Sequence, residues 1–263
     1  MRRIFHALMI IALAGVLAPN AIAAGFDANQ LKAIEKAASD FRAMAAGSET
    51  SGQPPRQSDP KVAALLNIVF DTSALNLNTP LPFSDLNNVN DWLLQVLNAG
   101  SVYILAGTGY TDFSKIVSLG GPAQEALQQK VAANTVAFAP EMGRYVDSQL
   151  NVMQALIMIV TADMAADPQK LTGAMQQKGV ADMRQGLVTT LVGAITMLPT
   201  DGLSDDWRRE RLPALAAVAP KAAAFLLPDQ RKTVHDISLQ VAQTMSDAAV
   251  KDGLTAFAQA VGG

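Results

Sequence analysis

The stretch EMGRYVDSQLNVMQALIMIVTADMAA, residues 141–166, begins just after Pro140 and stops at the pair Asp167–Pro168. It reads as one long helix, because proline is tolerated in a first turn but ends or kinks a helix interior. Glu141, Arg144, Asp147, Asn151 and Gln154 recur along it at steps of three and four, which marks one polar face. Such a stripe is expected to be solvated. Turned inward, Arg144 with Asp147 would instead make a polar site. The run Val152 to Val160 raises the question of a membrane, as does Leu187 to Leu198 further on. Each falls short of the roughly 18 apolar residues of a spanning candidate, and Asp163 or Arg184 lies close by. The two are read as the central helices of a bundle, with no integral span in the mature chain.

The same punctuation organises the chain on either side. Downstream, Met175 to Leu198 forms a helix ending at Pro199, and Ser204 caps a short charged one. Pro213 and Pro220 interrupt an alanine-rich helix, and Asp229 to about Ala260 makes the last long one. Upstream, Gly121 and Pro122 start a helix carrying Leu127, Val131, Val136 and Phe138. Ser84 caps a helix that points Leu86, Val89, Trp92, Leu93, Val96 and Leu97 inward, and residues 61–76 form a helix with one apolar side. Val102 to Ala106 resembles a strand, but no partner strand is visible, so it too is read as helix.

Nearer the start, Asp27 caps a helix with Gln30 three residues later, and Phe26 can pack on Leu31. Leu31, Ile34, Ala38, Phe41 and Ala45 form its apolar side. Residues 24–46 are thus an amphipathic helix. GSETSGQPPRQSDP, residues 47–60, reads as a mobile linker, and 61–263 as the bundle domain. No internal repeat is visible. The expected fold class is all-α, a bundle of about eight or nine helices.

Residues 1–23 have a different character: Arg2 and Arg3, an apolar run from Ala7 to Ala18, Pro19, and small residues at Ala21 and Ala23. This is the pattern of a secretory signal peptide cleaved after Ala23, which predicts a periplasmic or secreted protein. Its removal takes Arg2, Arg3 and His6 with it. What remains is 240 residues with 18 basic and 23 acidic side chains, a net charge of −5, and His235 as the sole histidine.

Composition excludes several chemistries. Without cysteine there is no thiolate zinc site, iron–sulfur cluster, disulfide framework or Cys nucleophile. An acidic balance argues against nucleic acid, whose phosphates require a basic face. In YILAGTGYTD, residues 103–112, Gly107 and Gly109 follow an apolar run, but Asp112 stands where a dinucleotide loop needs its third glycine. A helix end followed by a loop explains it better. SDLNNVND, residues 84–91, fails as a calcium loop, because counting from Asp85 puts Val89, Asn90 and Val96 at positions 5, 6 and 12. His235 lacks a G-x-S-x-G partner and is read as a solvated or partly packed side chain. The nine methionines after residue 23 are spread singly and suit adaptable core packing.

SDDWRRER, residues 204–211, is the most concentrated charged stretch. Trp207 amid Arg208, Arg209 and Arg211 reads as a rim that binds a partner, since Trp and Arg are enriched at contact hot spots. The alternative gives Asp205 and Asp206 to magnesium and the arginines to phosphate, as in an enzyme acting on a phosphate-containing substrate. That requires a second acidic cluster, which the sequence does not display. The expected function is an exported helical binding protein of the bacterial cell envelope, without catalytic residues, cofactor or metal. It would recognise a protein partner, or a small apolar ligand between its helices.

Overall fold

The computed structural model describes residues 28–111, 121–167 and 173–262. The leader reading of residues 1–23, the Phe26–Asp27 start signal, Asp112 and Pro168 lie outside the described residues. The described residues form ten α-helices and no strand: α1 Ala28–Met44, α2 Ser48–Ser51, α3 Pro60–Phe70, α4 Leu86–Ile104, α5 Gly121–Ala137, α6 Ala139–Ala166, α7 Ala174–Met197, α8 Asp205–Phe225, α9 Pro228–Thr244 and α10 Ala248–Gly262. The fold is an all-α bundle, as the proline-punctuated periodicity predicts.

α6 is the shared helix. It packs on α4 on one side and on α8 on the other; α1 closes over α3 and α4, while α10 lies against α8 and α9 and α9 reaches α7. By length and composition α6 is the one described helix long and apolar enough to cross a membrane, and half of its most apolar window is buried inside the bundle. Its start follows from Phe138, which leaves helical geometry, and from Pro140, whose missing N–H falls in the first turn.

Several element boundaries differ from the sequence reading. α3 stops at Phe70, short of the expected residue 76, because Asp71 turns extended and accepts a hydrogen bond from Ser73 N–H at 2.9 Å. Ser84 does not cap α4; it lies within a 3-10 turn, Phe83–Asp85, that leads into the helix. Pro213 and Pro220 do not interrupt α8. Seven residues apart, both fall on its exposed side, where freed carbonyls meet water, while Leu215, Val218, Ala222 and Phe225 hold the opposite side in the core. The last helix is two. The chain leaves α9 at Met245, and Asp247 starts α10 by accepting from Val250 N–H at 3.0 Å. α10 then folds back so that Val250, Leu254, Phe257 and Val261 are buried.

Residues 47–60, linker-like in composition, are anchored to the bundle. In α2, Ser48 and Glu49 carbonyls accept from Gly107 N–H at 2.9 Å and Gly109 N–H at 2.8 Å. Gly107 has φ +67°, and a Cβ there would come within 3.1 Å of Gly52 Cα, so the close pairing of the two loops requires glycine. Further on, Tyr103 Oη donates to Pro55 O at 2.9 Å, and Gln57 N–H donates to Glu141 Oε1 at 2.9 Å. The glycine-rich turn thus serves as a backbone clasp.

Candidate functional site

The charged stretch 204–211 opens α8, and each of its side chains has a distinct place. Ser204 Oγ accepts from Trp207 N–H at 3.1 Å, the expected cap. The Trp207 indole turns down onto α6, 7% exposed, and donates to Ala139 O at 2.6 Å. It is therefore not presented at a rim. Arg211, 8% exposed, stacks 5.0 Å above that indole and grips Asp147 of α6, with Nε to Oδ1 and Nη2 to Oδ2 both 3.0 Å. Burial pushes the Asp147 carboxyl above the ordinary carboxylate range, and Arg211 opposes that push.

Arg208 closes the C-terminal end of α7. Its Nε donates to Leu198 O at 2.7 Å, its Nη2 to Thr200 O at 3.1 Å and its Nη1 to Asp205 Oδ1 at 2.7 Å. Arg209 instead lies outside, pairing with Asp206 at 2.8 Å and Asp247 at 3.1 Å. The four residues of the phosphate-enzyme reading are thereby divided. Asp205 and Arg208 border a cleft; Asp206 and Arg209 make a surface pair on the far side of the turn.

The polar stripe of α6 faces inward, against expectation. Glu141 is 1% exposed; its Oε1 accepts from Arg56 Nε at 3.2 Å and from Gln57 N–H at 2.9 Å. Arg144 donates to Leu66 O at 3.1 Å, Asn151 to Thr72 Oγ1 at 2.9 Å, and Gln154 to Leu77 O at 3.4 Å. The stripe ties α6 to the last turns of α3 and to the loop beyond it, while Ser148 Oγ donates to Phe70 O, at the end of α3, at 2.6 Å. His235 sits beside the seam of α9, its Nδ1 3.0 Å from Asp236 Oδ1 and its ring against the backbone of Gly262. Among the described residues, no group of three or more His, Asp or Glu side chains is arranged to hold a metal ion.

The cleft beside Asp205 has a volume of about 620 Å³. Ala132, Ala133 and Val136 from the end of α5, Pro199 after α7, and Val241 and Met245 from the end of α9 supply its apolar surface. Thr196, Thr200, Asp201, Asp205, Arg208, Gln240, Thr244 and Ser246 supply its polar groups. Gly202, at φ +92°, packs against Val136 so closely that a Cβ would stand 3.1 Å from its Cγ1. This contact fixes the turn that carries Asp201.

No family model, curated protein or solved structure matches this chain. The cleft is read from its own chemistry. It has apolar walls, hydroxyl and amide groups around them, and a carboxylate–guanidinium pair at one end. Asp201, Thr196, Gln240 and Thr244 carry no signal in the sequence. They lie on three different elements; of the helix ends that bring them together, Pro140 and Pro199 mark those of α5 and α7 in the sequence, while the break between α9 and α10 falls inside what reads as one helix.

Proposed function

We propose that this chain is an exported, non-catalytic helical binding protein that holds a small, partly apolar ligand in the cleft between α5, α7, α8 and α9. The observation that carries the reading is the cleft itself: about 620 Å³, bordered by Val136, Pro199, Val241 and Met245 and ringed by hydrogen-bonding side chains. A ligand within it is favoured over a protein partner at residues 207–211, because Trp207 and Arg211 are buried in contacts with α6. Export rests on the pattern of residues 1–23.

The neutral probe N-phenyl-1-naphthylamine tests the cleft. Its fluorescence should rise on mixing with the protein, and Val136→Trp, which fills the cleft, should abolish the rise while leaving the circular dichroism unchanged. A probe signal that is absent, or that survives in folded Val136→Trp, overturns the reading. For export, N-terminal sequencing of protein recovered from the periplasm or medium should start at Ala24. An uncleaved chain retained in the cytosol would exclude that part.

A further inference from the structure

The hydrogen-bonding inventory of the cleft is one-sided. Thr196 Oγ1 donates to Val192 O at 2.7 Å and Thr244 Oγ1 to Val241 O at 2.7 Å, so both hydroxyl protons point into their own helices and leave lone pairs outward. Each of the three nitrogens of Arg208, the cationic side chain of the lining, already donates to Leu198 O, Thr200 O or Asp205. Asp201 is exposed and, among the described residues, forms no ion pair. Gln240 and Ser246, both exposed, keep adaptable donors, as do the Thr200 hydroxyl and the remaining Nη hydrogens of Arg208. The lining therefore offers mainly acceptors, with two carboxylates against one guanidinium.

The helix ends act in the same direction. Ala132, Ala133 and Val136 belong to the last turns of α5, Thr196 to that of α7, and Val241 and Thr244 to that of α9. Three helix C-termini thus border one cleft; that of α7 is met by Arg208, and those of α5 and α9 add partial negative charge. The opposing N-terminus of α8 is answered by Ser204, Asp205 and Asp206.

Resting on the cleft reading above, we infer that its ligand has a cationic polar end, an organic ammonium group received at the Asp201–Asp205 side, with an aliphatic body along Val136, Val241 and Met245. An ammonium brings donors and positive charge to a wall of acceptors. A carboxylate or phosphate would meet the like charge of Asp201 and Asp205, with the one cation already paired to Asp205.

Isothermal titration calorimetry of the full mature protein with octylamine, octanol and octanoate at pH 7 and low salt tests this. Octylamine should bind about tenfold or more tightly than octanoate, and Asp201→Asn should weaken octylamine about three- to tenfold while leaving octanol unchanged. Octanoate or octanol binding as tightly as octylamine, or octylamine indifferent to Asp201→Asn, overturns the cationic inference alone. Val136→Trp separates the two levels: if none of the three binds, or if binding survives that substitution, the cleft reading itself falls.

Discussion

Arg211 of α8 and Asp147 of α6 meet through two parallel contacts of 3.0 Å, and the guanidinium lies sandwiched between that carboxylate and the Trp207 indole. Two helices are joined there by residues 64 positions apart in the chain, a charge pair mostly removed from water. Removing Arg211 leaves the Asp147 carboxylate mostly buried without its counter-charge, whereas Arg211 has a second partner in Glu210 at 3.1 Å. Arg211→Ala should cost about 3 kcal/mol in urea unfolding. The double variant Arg211→Met with Asp147→Leu should recover most of that loss, since an apolar pair has no charge to desolvate. A double variant no better than the single one would show that the ion pair itself holds α8 to α6.

Gly143 lies under the same pair. A Cβ at that position would stand 2.5 Å from Arg211 Nη1 and 3.0 Å from Trp207 Nε1, both already fixed by hydrogen bonds. Gly143→Ala should therefore destabilise by about 1–3 kcal/mol despite alanine's better helix propensity. At Gly179 in α7 an added methyl group would meet nothing within 4 Å, so Gly179→Ala should stabilise by about 0.5–1 kcal/mol. Chemical denaturation of the two variants side by side gives the opposite signs, or refutes the packing around Arg211.

Acid should act on the α9–α10 turn. The Asp247 carboxyl is held below the ordinary carboxylate range, chiefly by the Val250 N–H and further by Arg209. A lowered native pKa means that its stabilisation is complete above the unfolded value of about 3.9 and is lost as pH falls through the native one. Asp247→Ala should thus lower Tm by a constant amount from about pH 7 to 5, and the gap to the parent protein should close below about pH 4. A gap that persists unchanged to about pH 2.5 would exclude the charged cap.

Both tryptophans are interior: Trp92 is fully buried, with Nε1 donating to Val69 O at 2.9 Å, and Trp207 is 7% exposed. Native emission should be blue-shifted and nearly immune to iodide quenching, with no change in a Trp92→Phe variant that isolates Trp207. Strong quenching in that variant would return Trp207 to the surface.

Much of the architecture is legible from the sequence. Leu86, Val89, Trp92, Leu93, Val96 and Leu97 have the spacing of an inward stripe and all are buried, since a core stripe at helical spacing can face only one way in a helix of that length. The candidate site is far less legible. Trp207 amid arginines has the composition of an exposed contact, and its burial follows only from Ala139 O and Asp147 standing opposite it. Polar residues 141–154 have the spacing of a solvated face, but the last turns of α3 and its loop lie opposite and supply the carbonyls to which Arg144 and Gln154 donate.

What the chain's own order of residues determined is the helical class, the absence of thiol chemistry and the positions of most breaks, because periodicity, proline and composition act locally. Tertiary structure alone decided whether Pro213 and Pro220 break α8, whether residues 47–60 are anchored, and which ends of α5, α7 and α9 enclose a cleft. Those outcomes depend on what lies opposite each residue. Burial, hydrogen-bond pairing and the summed direction of helix ends are properties of neighbours distant in the chain.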